Sequence, residues 1–227
     1  MTSQIDVWLF GLDRALDEMC HLERWLSPDE RDRAARFVRA RDRLRFTAAR
    51  GMLRRILGAE VDRDPASLGF AYNAHGKPTL AGDAGPHFNL SHSGALAALG
   101  IGRSVPFGLD IEQIVQIEAG VAEISFSPAE RSALAVYGGA EWLACFYRCW
   151  TRKEAVIKAL GLGLAQPLDA FDVTLGPSEE PRLLRLAGAP EASSQWELFH
   201  FEPAAGYMGA VAVPAPGHSI VVRRWMP

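Results

Sequence analysis

The same pattern opens two helical stretches one hundred residues apart: Ser27-Pro28-Asp29-Glu30-Arg31 and Ser127-Pro128-Ala129-Glu130-Arg131. Serine can cap a helix, proline suits its first position, and a glutamate three residues after the serine can close a capping box. In the first half a long Arg-rich helical region follows and runs to Leu57, ended by Gly58. In the second, a helical pattern covers 141–160, EWLACFYRCWTRKEAVIKAL. There Trp150, Glu154 and Lys158 fall at i, i+4, i+8, and Phe46, Arg50 and Arg54 share that spacing in the first half. Chance is the competing explanation, since Ser-Pro often opens helices. The shared order of elements favours an ancient duplication.

Strand patterns complete both halves. IDVWLF (5–10), SLGFAY, PHFNLS and GALAALGIG (94–102) read as strands of the first half, with the turn NAHGKP among them. Another helix, 12–26, follows the first strand. FDVTL, PRLLRL, WELFHF, GYMGAVAV and SIVVRRW read as strands of the second half; LGPSEEP and LAGAPEASS read as surface loops. The expected class is α+β: two similar, pseudo-twofold-related halves, each with helices on a small, mostly antiparallel sheet. The expected boundary gives halves 1–105 and 106–227. With 227 residues the chain is long enough for a sizeable core.

No apolar run reaches membrane-spanning length, and the start lacks the basic and apolar regions of a signal peptide. Three cysteines are too few for a disulfide framework. Cys145 and Cys149 lack further zinc ligands nearby and read as buried small hydrophobes in a reducing cytoplasm. The net charge of −3 is uneven: residues 31–55 hold ten arginines against two aspartates. A basic stripe on an acidic body suits a small polyanion or an acidic partner. Nucleic acid is not expected, because such binding usually shows in a basic whole domain.

The chemistry-bearing segments begin with Pro106-Phe-Gly-Leu-Asp-Ile-Glu112. On a strand, Asp110 and Glu112 share a face and repel unless a cation lies between them. Gly108 leaves room for close approach. A hard cation such as Mg²⁺ would satisfy both acids; the bland alternative is a solvated strand end. Glu154 and Lys158 share a helix face with Trp150, so Glu154 is a third ligand or a general base and Lys158 a stabiliser of phosphate charge. The bland alternative is a surface i, i+4 ion pair. In HFNLSHSG (87–94), Ser91 and His92 point apart on a strand, which fits a phosphate clamp better than a hydrolase. In HGKP (75–78) the Lys77 ammonium is free to meet a phosphate.

Taken in order, GKP, FNLSHSG, FGLDIE and WTRKEAVIKALGLGL resemble the 4′-phosphopantetheinyl transferase superfamily, in its monomeric, surfactin-synthetase-activating form. The motifs lie within residues 75–164, and the two-half organisation extends the likeness over nearly the whole chain. The resemblance implies transfer of phosphopantetheine from coenzyme A to a serine of an apo acyl or peptidyl carrier protein, with release of 3′,5′-ADP. It implies Mg²⁺, or Mn²⁺, held by Asp110, Glu112 and Glu154 between the halves. Asp110, Glu154 and Lys158 would carry catalysis. Lys77, Asn89, Ser91 and His92 would bind coenzyme A, with Arg41 and Arg45 from the segment RFVRARDRLRF, where some relatives use lysines earlier in the chain. Part of the basic stripe would meet an acidic carrier face. Two other classes compete: a Mg²⁺-dependent nuclease or phosphodiesterase, and a catalytically dead module that binds coenzyme A or carrier.

Overall fold

Both capping boxes form. The computed structural model describes residues 2–82, 85–118, 120–163, 166–186 and 190–225. In it Ser27 and Ser127 each cap a short helix, α2 (Pro28–Ala35) and α5 (Pro128–Leu134), and the glutamate of each box returns to the serine N–H. Each short helix lies beside a long one, α3 (Ala40–Glu60) and α6 (Gly139–Leu160). Among the described residues the remaining α-helices are α1 (Leu16–Trp25) and α4 (Gly120–Ser125).

Eleven strands follow in chain order among the described residues: β1 (Ser3–Gly11), β2 (Phe70–Tyr72), β3 (Pro78–Leu80), β4 (His87–Ser93), β5 (Leu96–Gly102), β6 (Gly108–Gln113), β7 (Phe171–Val173), β8 (Leu183–Leu186), β9 (Glu197–Phe201), β10 (Tyr207–Val213) and β11 (His218–Arg224). The first main sheet has the order β11-β1-β5-β4 and the second β6-β10-β9. β2 and β3 form the hairpin around the turn NAHGKP, and β7 pairs with β8.

Alternation along the strands stacks four layers. Phe88, Leu99 and Ile101 face α3, together with Met52, Leu53 and Ile56. The other face of that sheet, with Ile5, Val7, Leu9 and Ala98, packs on Leu109, Ile111, Val211 and Val213 of the second sheet. Beyond them Met208, Ala210 and Ala212 face α6. The order is helix, sheet, sheet, helix, so the halves share a core instead of meeting at a wet interface. No helix among the described residues is long and apolar enough to cross a membrane.

Two expectations need correction, both in the Arg-rich region; separately, β11 crosses from the expected second half and pairs in parallel with β1, from Ser3 opposite His218 to Leu9 opposite Arg224. That pairing covers a strand edge that would otherwise be bare. The Arg-rich helical region is not continuous but breaks between Ala35 and Ala40. Gly58 does not end it: α3 runs on to Glu60, and an added Cβ at Gly58 would lie 2.7 Å from the Arg63 carbonyl oxygen. Of the two anticipated loops, 186–194 falls partly outside the described residues.

The likeness of the halves lies in buried charge. Glu30 accepts from Arg50 (Nε, 2.7 Å) and Arg54 (Nε, 2.6 Å), and Glu130 accepts from Lys153 (Nζ, 2.7 Å). Arg54 lies 5.0 Å from the Phe70 ring centroid and Lys153 lies 4.4 Å from that of Phe171. Arg50 meets the same glutamate and ring, at 4.8 Å, but Arg54, 1% exposed, is the one that matches the fully buried Lys153. The matched spacing of Phe46, Arg50 and Arg54 with Trp150, Glu154 and Lys158 aligns the wrong faces of the two long helices.

Candidate active site

The site is built where β6, α6 and β4 converge. Gly108 opens β6 against α6: a Cβ there would sit 1.9 Å from the Ala155 carbonyl oxygen and 2.4 Å from the Ala159 nitrogen. Only glycine lets the strand lie so close. Leu109 and Ile111 then turn to the shared core, which leaves Asp110 and Glu112 on the α6 side. The common direction of the two acids, expected from their spacing, is present.

Lys158 reaches across from α6. Its ammonium lies 2.6 Å from Asp110 Oδ1 and 3.0 Å from Ser91 Oγ. Ser91 donates to the same Asp110 oxygen at 2.8 Å. Asp110 is 3% exposed, and its second oxygen, Oδ2, is buried with no partner. Glu112 accepts a 2.5 Å hydrogen bond from Ser93. Glu154 sits one turn before Lys158, yet no hydrogen bond or ion pair holds its carboxylate among the described residues. The bland i, i+4 ion pair is thus not formed; Lys158 serves Asp110 instead.

Burial raises the Glu154 carboxyl above its ordinary range, and the nearby Asp110 charge pushes the same way against the pull of Lys158. Burial also raises Glu112, opposed by the Ser93 hydrogen bond and reinforced by Asp110. Three acids around one ammonium are short of positive charge. Among the described residues no three His, Cys, Asp or Glu side chains are already gathered as a metal shell.

β4 contributes a feature that the sequence reading missed. Asn89 Oδ1, Ser91 Oγ and Ser93 Oγ accept the backbone N–H groups of Leu109 (2.7 Å), Ile111 (3.2 Å) and Gln113 (3.0 Å). Alternate side chains of one sheet's edge thus satisfy alternate amides of the other sheet's edge, where no backbone ladder exists. The signal was available: Asn89, Ser91 and Ser93 are polar at period two.

This stitching engages two residues of the expected coenzyme A set. Asn89 and Ser91 are buried framework, and the one donor and two acceptor sites of the Ser91 hydroxyl are all occupied. Lys77 is not a free ammonium; it donates to the carbonyls of Phe107 (3.0 Å) and Lys158 (2.6 Å), and burial lowers it to about 8. It borders a cavity of about 400 Å³ that His87, Phe107 and Leu160 also line. Arg45 is engaged by both oxygens of Asp13, at 2.7 and 2.8 Å, and by the Gly94 carbonyl. Arg41 is exposed and only 3.8 Å from its neighbour Asp42. His92 remains exposed on the opposite face of β4 from Ser91. Desolvation lowers its imidazole, aided by the charges of Lys158 and Arg33. Arg33, whose charge contributes to that lowering, has its guanidinium 5.3 Å from the Phe46 ring centroid.

Comparison with known proteins agrees with this architecture. A family profile described as "4′-phosphopantetheinyl transferase superfamily" matches residues 106–212, and one described as "4′-phosphopantetheinyl transferase, N-terminal" matches residues 15–102. The chain is 33% identical over 223 residues to the 4′-phosphopantetheinyl transferase HetI of Nostoc sp., covering 96% of this chain and 90% of that protein. It is 30% identical over 192 residues to the 4′-phosphopantetheinyl transferase Sfp of Bacillus subtilis, covering 85% and 84%. A human relative, L-aminoadipate-semialdehyde dehydrogenase-phosphopantetheinyl transferase, is 30% identical over 168 residues, covering 68% and 54%.

Proposed function

Because the chain belongs to the 4′-phosphopantetheinyl transferase superfamily, we propose that the seam between β6, α6 and β4 is where it carries out the family's reaction. That reaction moves 4′-phosphopantetheine from coenzyme A to a carrier protein. The nuclease alternative falls with the family assignment. The observation that carries the placement is Asp110: one oxygen held by Lys158 and Ser91, the other buried without a partner beside two further acids.

An all-oxygen donor set with an orphaned carboxylate oxygen fits Mg²⁺, or Mn²⁺, and Asp110, Glu112 and Glu154 would hold it. Bound there, the ion would act as a Lewis acid toward the phosphate under attack. The chain's own groups do the rest. Lys158 orients Asp110 and offsets negative charge on the coenzyme A pyrophosphate. Glu154, its carboxylate made more basic by burial and by the Asp110 charge, accepts the proton of the carrier serine. The serine oxygen bonds to the β-phosphorus as the bond to 3′,5′-ADP breaks.

His92 and Arg33 would bind the 3′-phosphate, with exposed Arg41 within the same basic stripe. Arg36, Arg39, Arg41 and Arg43 are exposed and would face an acidic carrier surface. A monomer suffices, since both parts of the site come from one chain.

The direct test incubates the protein with coenzyme A, Mg²⁺ and a panel of apo carriers, read by mass spectrometry. A phosphopantetheine mass gain with stoichiometric 3′,5′-ADP supports the reading. No transfer to any carrier, with coenzyme A still bound, would mark a dead binding module.

A further inference from the structure

Lys77 joins the two elements that carry the acids. Its ammonium donates to the Phe107 carbonyl, next to the first residue of β6, and to the Lys158 carbonyl in the last turn of α6, with Ala159 O at 3.5 Å. Asp110 and Glu112 belong to β6; Glu154 and Lys158 belong to α6. The last carbonyls of a helix lack intrahelical partners and favour a cation. Lys158 is consequently gripped at both ends: its carbonyl by Lys77, its ammonium by Asp110 and Ser91.

The turn bearing Lys77 is shaped for this contact. Asn73 Oδ1 accepts the N–H groups of His75 and Lys77, each at 2.9 Å, while its Nδ2 donates to Gly161 O at 2.9 Å. Gly161, in the left-handed region at φ 69°, ends α6. Asn73 therefore sets the lysine and clamps the same helix end. A lysine offered to a phosphate would point its ammonium outward; this one spends it on carbonyls in a half-buried position.

We propose that Lys77 is a positioning residue that fixes the end of α6 against the start of β6, and through that contact sets Lys158 against Asp110. The proposal rests on the seam being the catalytic centre. It assigns Lys77 a different task from contact with coenzyme A, and the two tasks separate in kinetics.

The experiment is steady-state kinetics with coenzyme A varied and apo carrier saturating, on wild type, Lys77→Met, Lys77→Arg and Asn73→Ala. Misplacing reacting groups by a fraction of an ångström to an ångström lowers turnover steeply, so Lys77→Met should lose about 10- to 100-fold in kcat with KM for coenzyme A changed less than about twofold. Lys77→Arg should recover part of that loss, and Asn73→Ala should shift kcat in the same direction by less. A rise in KM with kcat unchanged would instead make Lys77 a coenzyme A ligand and overturn the proposal. So would a folded Lys77→Met with wild-type kcat. Should Lys77→Met not fold, the arginine and Asn73 variants decide: wild-type kcat in Asn73→Ala together with a raised KM in Lys77→Arg refutes positioning. A wild type that transfers nothing would overturn the functional reading itself, a result distinct from all of these.

Discussion

The Lys158 ammonium lies 2.6 Å from one oxygen of Asp110, and the other oxygen of that carboxylate is buried with nothing bonded to it. A buried carboxylate serving only the fold would be expected to have both oxygens hydrogen-bonded. Replacing Asp110 with alanine should therefore remove transfer by about 10²–10³-fold or more, the scale seen when one stabilising group is lost from a reaction centre. Stability should change by no more than about 1 kcal/mol, because Lys158 is 28% exposed and can return to water. Turnover by mass shift and a thermal melt check the two halves of this expectation. A fully active Asp110→Ala would remove Asp110 from the site.

Glu154→Gln separates function from stability in the opposite sense. Its carboxyl is raised by burial and by Asp110, so the ionised form is strained in the folded protein at neutral pH. An amide of the same shape relieves that strain. The variant should lose most of its turnover while its melting temperature stays level or rises, a common cost pattern at functional sites. Wild-type turnover in this variant would exclude Glu154 as the base.

The sequence disclosed features whose partners are near in the chain. The capping boxes depend on residues three apart, and the shared face of Asp110 and Glu112 follows from strand alternation alone. Where the partner comes from elsewhere, pattern reading failed. The period-two polarity of Asn89, Ser91 and Ser93 marks a shared polar face but does not say that amides twenty residues on will occupy it. Nothing near Arg45 announces Asp13, thirty-two residues back. β11 looks like any half-buried strand, and only tertiary packing sends it to β1. Equal i, i+4 spacing occurs on every helix face, so it could not pair Arg54 with Lys153; complete burial together with an equivalent glutamate partner and aromatic ring does.

Buried charge in the second half yields a stability prediction. The Lys153 side chain is 0% exposed and its ammonium is matched by Glu130, which also accepts the N–H groups of Val173 and Ser127. Glu130→Gln leaves that ammonium buried without a counter-charge, and should cost about 3–5 kcal/mol. Adding Lys153→Met removes the stranded charge and should recover much of the loss. Urea denaturation of the single and double variants measures both. A single variant within 1 kcal/mol of wild type, on the order of an exposed pair, would show the pair to be marginal.

His200 predicts how stability responds to acid. It lies on β9, with Nδ1 buried and unpartnered. Burial lowers its pKa to about 4 from 6.5, assisted by the charges of Arg152 and Arg148 on α6. The unfolded chain therefore takes up a proton near pH 6.5 that the folded chain refuses until about pH 4. Because the unfolded state binds more protons in that window, stability falls as pH drops through it. The contribution is complete above pH 6.5 and lost by about pH 4, amounting to about 2 kcal/mol after allowance for partial exposure. Glu112 and Glu154 have raised values and act in the opposite direction at the acid end, so the wild-type profile alone would blur the effect. The difference between wild type and His200→Leu isolates it: the gap in unfolding free energy should vary with pH between 6.5 and 4 and be constant above 6.5. A pH-independent gap over that whole range would show that His200 keeps an ordinary pKa in the folded protein.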